Sequence, residues 1–338
     1  MKQIILTRHC RGAPVPDDFA LDERETPRPR EGQFLVRHVF NSVDPGTRSR
    51  LSGDDSYAPA LPLGKPVDGF SVGVVEESAH PDWAVGTKVF CAGGWRTHTL
   101  QTGKGYVGHI PDAVDLPLSY WLGVLGVPGL TAWFGLKRVG LFKPGDRVLV
   151  TSAAGPVGAT AGQLAKIGGA AQVVGIAGSD EKCRWLTDVA GFDNAINYKT
   201  VSELDAAIAD AVPDGVSLLF DNVGNAMVNR VLPLMRLGGR IVISGQVADY
   251  NLTPEETPGI VNTRPFITHR VNMQGLVVFD DAKDFPEALQ SMAAMIGDGR
   301  LKLKEERFEG IDKMPEAFCG LFKGENFGRR VVQVGEAP

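Results

Sequence analysis

Between residues 146 and 278 the chain alternates short apolar runs with amphipathic stretches, and this rhythm limits its possible folds more than any other feature. RVLVTSAA (147–154), QVVGIA (172–177), NAINY (194–198), VSLLFDNV (216–223), GRIVISGQ (239–246) and MQGLVV (273–278) read as strands. PVGATAGQLAKIGG (156–169), DEKCRWLTDVAG (180–191), VSELDAAIADAV (201–212) and AMVNRVLPLMRL (226–237) read as the helices between them. Strands spaced at roughly 20–25 residues with a helix in each gap cannot be hairpins. The pattern predicts parallel β-α-β units and an α/β fold with a doubly wound parallel sheet.

The flanking segments follow a different rule. Up to about residue 115, runs such as FLVRHVFNSV, FSVGVVEE, TKVFCAGG and WRTHTL are broken by Gly and Pro, as in a β-rich domain. After KDFPEALQSMAAMIGDGR, which reads as a helix stopped by Gly, the tail ends in the strand-like RRVVQV. A tail strand that rejoins the N-terminal domain would leave the alternating region as an insertion. The expected division is 127–299 for the nucleotide-type domain and 1–126 plus 300–338 for the β-rich one, consistent with a length of 338 residues.

Charge and cysteine usage exclude several classes. A formal net charge of −5 argues against a general nucleic-acid or anionic-membrane surface. Cys10, Cys91, Cys183 and Cys319 are scattered with no Cys-x-x-Cys pair, which disfavours a disulfide framework and points to a reducing, cytoplasmic setting. No secretory segment is expected at the N-terminus. Leu116 to Leu136 carries no formal charge over 21 residues, but Pro117, Pro128 and four glycines predict a buried helix–turn–helix rather than a membrane span.

The chemistry is concentrated after the first strand of the alternating region. Ala153-Ala154-Gly155-Pro156-Val157-Gly158 is a dinucleotide fingerprint with Ala in the first glycine position. Gly155 lets the backbone approach a pyrophosphate, Gly158 lets the helix pack against the strand, and the helix amides face the anion. The second strand usually ends in an acid when the ligand is NAD. Here it ends Ala177-Gly178-Ser179, followed by Asp180 and Lys182, with Tyr198 and Lys199 after the third strand. Small residues, a lysine and a phenol suit a 2′-phosphate and favour NADPH, while Asp180 stays open as a displaced ribose acid.

The run Leu122-Gly123-Val124-Leu125-Gly126-Val127-Pro128-Gly129-Leu130-Thr131-Ala132-Trp133-Phe134-Gly135 resembles a signature of the zinc-independent medium-chain dehydrogenase/reductases. Within them it is similar to the leukotriene B4 dehydrogenase/prostaglandin reductase branch, with curcumin and plant double-bond reductases. Ser42-Val43-Asp44-Pro45, Asn197-Tyr198-Lys199-Thr200, Phe220-Asp221-Asn222-Val223-Gly224 and Gly324-Glu325-Asn326-Phe327-Gly328 extend the likeness along the chain. The resemblance implies a GroES-like domain beside a Rossmann domain, and a homodimer. It implies 2′-phosphate contacts at Lys182 and Tyr198 and a ribose or pyrophosphate contact at Asn222. Ser244, Gly245, Gln246, Tyr250, Leu276, Val278 and Asn326 are implied around the nicotinamide half.

The zinc-dependent relatives need a Cys and a Gly-His-Glu ligand group. Gly108-His109-Ile110 is not that motif, His98 has no partner at ligand spacing, and no metal is expected. Without a Lewis acid, conjugate reduction of an α,β-unsaturated ketone or aldehyde is the expected chemistry, with hydride at the β-carbon and charge on the carbonyl oxygen. Tyr57 is the catalytic candidate by resemblance, with Tyr250 and Phe279 on the substrate pocket and Trp133 and Phe134 as either pocket wall or core. Two departures remove a phenol: Phe279, and Gly46-Thr47-Arg48 where many relatives carry Tyr-Met-Arg. Quinone reduction, and nucleotide binding without turnover, are the alternatives.

Overall fold

The computed structural model describes residues 1–54 and 59–337. The chain forms two units: Met1–Leu122 with Glu305–Asn326 and the residues from Arg330 onward, and Gly123–Lys304 with Phe327–Arg329.

In the first unit β1 (Lys2–Leu6) and β2 (Phe19–Glu23) form an antiparallel pair in which Leu6 faces Phe19. Next come β3 (Phe34–Ser42), β4 (Ser71–Ser78), β5 (Lys88–Cys91), β6 (His98–Gln101) and β7 (Val107–His109). The nine residues of β3 are almost entirely buried, as its β-branched and aromatic content favours. β3 pairs with β4 along one edge, and its first half pairs with β6 along the other.

The second unit opens with α1 (Val127–Phe134), which starts after Gly126 with Pro128 in its first turn. A wide turn of π-helix follows over Gly135–Val139. The uncharged stretch is therefore not two α-helices. Pro117 and Gly123 leave room only for a 3-10 turn over Leu118–Leu122, with Trp121 stacked on Phe90. Among the described residues no helix is long and apolar enough to cross a membrane.

The strands β8 (Arg147–Val150), β9 (Gln172–Ala177), β10 (Asn194–Asn197), β11 (Val216–Asp221), β12 (Met235–Ile243) and β13 (Asn272–Gly275) build one sheet in the order β10-β9-β8-β11-β12-β13. Every pairing in it is parallel. The intervening helices include α2 (Pro156–Ile167), α3 (Asp180–Asp188), α4 (Leu204–Ala211) and α5 (Asn225–Val231). Leu149, Val174, Leu219 and Ile241 are fully or almost fully buried in the sheet core. This burial explains the near-continuous apolar runs. Strand order reverses between β8 and β11, and such a switch point is where open α/β sheets bind ligands.

Two elements differ from expectation. The helix expected to reach residue 237 stops at Val231, because Pro233 breaks it and β12 already begins at Met235. The strand expected over 273–278 ends at Gly275, opposite Ile243, where its partner β12 also ends. Beyond that point there is no ladder to extend.

After α6 (Arg264–Thr268) and α7 (Phe285–Gly297) the chain returns through β14 (Glu305–Glu309), α8 (Met314–Cys319) and β15 (Arg329–Gln333). β15 pairs with the second half of β3, from Val331 against Ser42. Phe318 of α8 packs edge-on against Phe19 and Trp95 in the core of the first unit.

The second unit begins earlier than residue 127 because the amides of Gly126 and Gly129 both return to Gly123 O at 3.1 Å. It runs to Lys304 because Gln163 of α2 brackets Lys302, donating to its carbonyl at 3.0 Å and accepting its N–H at 2.7 Å. Gly328 N donates to Ala154 O at 2.9 Å, which attaches Phe327–Arg329 to the same unit.

Candidate cofactor site

β8 ends at Val150 and a tight turn leads into α2. Ser152 in that turn has φ +48°, a left-handed conformation uncommon outside Gly, so the loop carries local strain. Gly155 is the N-cap of α2 in an extended conformation, with Pro156 and Val157 opening the first turn. A side chain on Gly158 would place Cβ 2.6 Å from Ser152 O and 2.9 Å from Ala153 Cα. Only glycine lets α2 sit this close to the loop. First-turn amides lack intrahelical acceptors, so the end of α2 presents donors to an anion.

Across the switch point, the end of β11 is organised by a residue not singled out from the sequence. Asp221 is fully buried; its carboxylate accepts from Thr151 Oγ1 at 2.7 Å and from the backbone of Gly224 at 2.9 Å. Thr151 Oγ1 in turn accepts the Asn222 N–H at 2.8 Å, and Asn222 Nδ2 donates to Thr151 O at 2.8 Å. Burial pushes the Asp221 carboxyl up to about 6 against these hydrogen bonds, and the charge of Asp249 adds to the rise. A carboxylate closing an otherwise apolar strand, VSLLFD, was the available signal. Asn222 thus has its amide committed to the protein.

Neighbouring strand ends converge on the same edge. Ser244 N and Gly245 N donate to Asp221 O at 2.8 and 3.3 Å, and Val247 N donates to Asn222 O at 3.2 Å. Gln246 O accepts from Asp249 and Tyr250 at 2.8 and 3.0 Å. A Cβ on Gly245 would lie 3.6 Å from the Tyr250 hydroxyl, which places that phenol beside the strand end.

At the tip of β9 the surroundings suit a phosphate on the adenosine ribose. Ser179 caps α3 by accepting Lys182 N at 3.3 Å, which holds Lys182 in the first turn. Tyr198 is 44% exposed, and its N–H donates to Ala177 O at 3.1 Å. A Cβ on Gly178 would lie 3.1 Å from Tyr198 Cε1, 3.3 Å from its hydroxyl and 3.4 Å from Lys199 Cε. Gly178 therefore lies directly beneath a phenol and a lysine stem. Asp180 is engaged elsewhere: its Oδ1 accepts from Asn197 Nδ2 at 2.6 Å. These residues fit NADPH better than NADH.

Past β13, Leu276 N donates to Ile243 O at 3.1 Å, Val278 is buried, and Phe279 is 44% exposed. The Phe279 ring lies 6.3 Å from Phe285, itself 5.9 Å from Phe134. Trp133 and Phe134 are both buried in α1, with Lys137 Nζ 3.7 Å above the indole. Their burial identifies them as core. Asn326 belongs to the first unit, and Tyr57 lies outside the described residues.

Among the described residues no three His, Cys, Asp or Glu side chains converge as a metal site. His98 Nε2 pairs with Glu76 Oε2 at 3.3 Å, and the His109 ring stacks on Trp83 at 4.0 Å.

A family model described as the N-terminal domain of oxidoreductase matches residues 2–108, and one described as zinc-binding dehydrogenase matches 156–294. The chain is 37% identical to an NADPH-dependent curcumin reductase of Escherichia coli (strain K12), over 98% of this chain and 96% of the relative. It is 38% identical to a 2-alkenal reductase (NADP(+)-dependent) of Nicotiana tabacum, over 98% of this chain and 97% of that one. The chain belongs to the zinc-independent medium-chain dehydrogenase/reductases, in their enone-reductase branch.

CurA from Vibrio vulnificus, solved in complex with NADPH, shares this fold with a TM-score of 0.92 and 34% identity over the whole of both chains. In this medium-chain dehydrogenase/reductase the parallel sheet is the Rossmann unit, and the strands of the first unit make the accompanying β-rich domain. The switch point lined by Thr151, Asp221 and Asn222 lies on the Rossmann unit.

Proposed function

We propose that the protein reduces the C=C bond of α,β-unsaturated ketones or aldehydes with NADPH. The reading is carried by near full-length likeness to reductases named for curcumin and 2-alkenals, combined with a β9 tip built for a 2′-phosphate. NADPH, when bound, supplies the hydride that reaches the β-carbon of the substrate. Lys182 and Tyr198 bind the 2′-phosphate, and the amides after Gly155 face the pyrophosphate. Asn222, Ser244, Gly245, Gln246 and Tyr250 line the edge toward the nicotinamide half, with Leu276 and Val278.

The protein's remaining task is to orient the alkene and to hydrogen-bond the carbonyl oxygen as charge gathers there. Tyr57 donates that bond. Phe279, which has no donor, forms an apolar wall with Tyr250, and solvent delivers the α-proton.

We also infer a cytoplasmic homodimer that uses neither nucleic acid nor membrane. The outer side of β13, whose residues are all exposed at the edge of the Rossmann sheet, supports the dimer.

The test is NADPH oxidation with matched enals, enones and quinones, followed by product analysis. A saturated carbonyl is the expected product. Higher kcat/KM on quinones, an allylic alcohol as product, or tight NADPH binding with no turnover would overturn the reading.

A further inference from the structure

Asn197 ends β10 and is only 8% exposed, yet its side chain spans two elements. Its Nδ2 donates to Asp180 Oδ1 at 2.6 Å, and its Oδ1 accepts the Lys199 N–H at 3.1 Å. Its carbonyl accepts from Thr200 N at 3.2 Å and Val201 N at 3.3 Å. One buried amide thus shapes the turn that places Tyr198 and Lys199 over Gly178, and at the same time ties up a carboxylate at the start of α3.

That carboxylate matters for selectivity. An acid at the tip of the second strand binds the two hydroxyls of a ribose and repels a 2′-phosphate. Asp180 stands two positions after Gly178, at the first residue of α3 and in the same first turn as Lys182. An ionised carboxylate is acceptor-only, so an amide N–H is the kind of partner that can hold it.

We propose that Asn197 is a specificity-determining positioning residue, which keeps the β9 tip selective for a 2′-phosphate over a free 2′-hydroxyl by holding Asp180 on its amide. The inference rests on NADPH being the cofactor. Shortening Asn197 removes the amide and leaves the Asp180 carboxylate available to a ribose diol beside Gly178.

The test is direct binding of 2′,5′-ADP and 5′-AMP to the full chain by titration calorimetry, which needs no turnover. The wild type binds 2′,5′-ADP more tightly. Asn197→Ala weakens 2′,5′-ADP about tenfold and leaves 5′-AMP unchanged or tighter. Adding Asp180→Asn restores most of the loss, which a collapsed turn would not allow. Asn197→Ser, too short to reach Asp180 but able to accept from the turn, gives the same shift if the alanine variant does not fold. An unchanged ratio in Asn197→Ala, or a double variant as weak as the single, overturns the proposal. A wild type that does not prefer 2′,5′-ADP overturns the NADPH reading instead.

Discussion

Thr151 Oγ1 and Asp221 Oδ1 meet at 2.7 Å, and this bond joins the ends of two adjacent parallel strands at the switch point of the sheet. Thr151 precedes the strained Ser152, and Asp221 precedes Asn222, so the bond couples the loop before α2 to the end of β11.

Replacing Thr151 by Val keeps the shape but removes the hydroxyl. Asp221 then loses a donor and Asn222 N–H loses its acceptor in a buried setting, at a cost of about 1–3 kcal/mol. Urea unfolding should show that loss, and an NADPH titration should show weaker binding because the loop before α2 is no longer tethered.

Asp221 should also leave a signature in the pH dependence of stability. Burial pushes its carboxyl up to about 6, above the ordinary 3.8, so the native state binds the extra proton in that interval. The group's contribution is fully present below about pH 4 and is lost as pH rises through 6; from these values it amounts to roughly 3 kcal/mol. Asp221→Asn should remove that slope, seen as the wild-type minus variant difference in unfolding free energy between pH 4 and 7.

Gly158→Ala brings Cβ against the backbone of Ser152 and Ala153, neither of which is a flexible side-chain end. The helix must move away from the loop, costing about 1–3 kcal/mol of stability. Cofactor affinity should fall at least about tenfold, because the amides of α2 shift from the pyrophosphate. Unchanged binding in a folded variant would sink the placement of the phosphate on this loop.

Lys182→Ala tests the cofactor reading through kinetics. Loss of one charge-assisted contact to a 2′-phosphate should lower kcat/KM for NADPH about tenfold to a hundredfold. The value for NADH should hardly change, since a free 2′-hydroxyl offers that lysine no dianion. Equal losses for the two cofactors would remove Lys182 from the phosphate site.

Much of the site was legible because it depends on local rules. Gly158 follows from the close approach of helix to strand, whereas the capping of α3 by Ser179 emerges only in the structure. The helix at 226–237 was overextended because periodicity continues past Pro233, while the pairing of Met235 with β11 decides where the strand begins. Trp133 and Phe134 could not be divided between pocket and core by spacing alone; burial settles them as core.

The sequence by itself determined the alternation that demands a parallel sheet, the glycine-bearing turn before α2, the absence of an acid at the tip of β9, and the family. These are encoded in short windows, where side-chain period, glycine and helix caps dictate backbone geometry. Only the tertiary structure decided which polar side chains hold the site together. Thr151 and Asp221 are 70 residues apart, and Asn197 and Asp180 are 17 apart. No local pattern links them, because they meet only after strand order places β11 beside β8 and β10 beside β9. Burial of Asp221 then makes an unpaired carboxylate there costly enough to enforce its contact with Thr151.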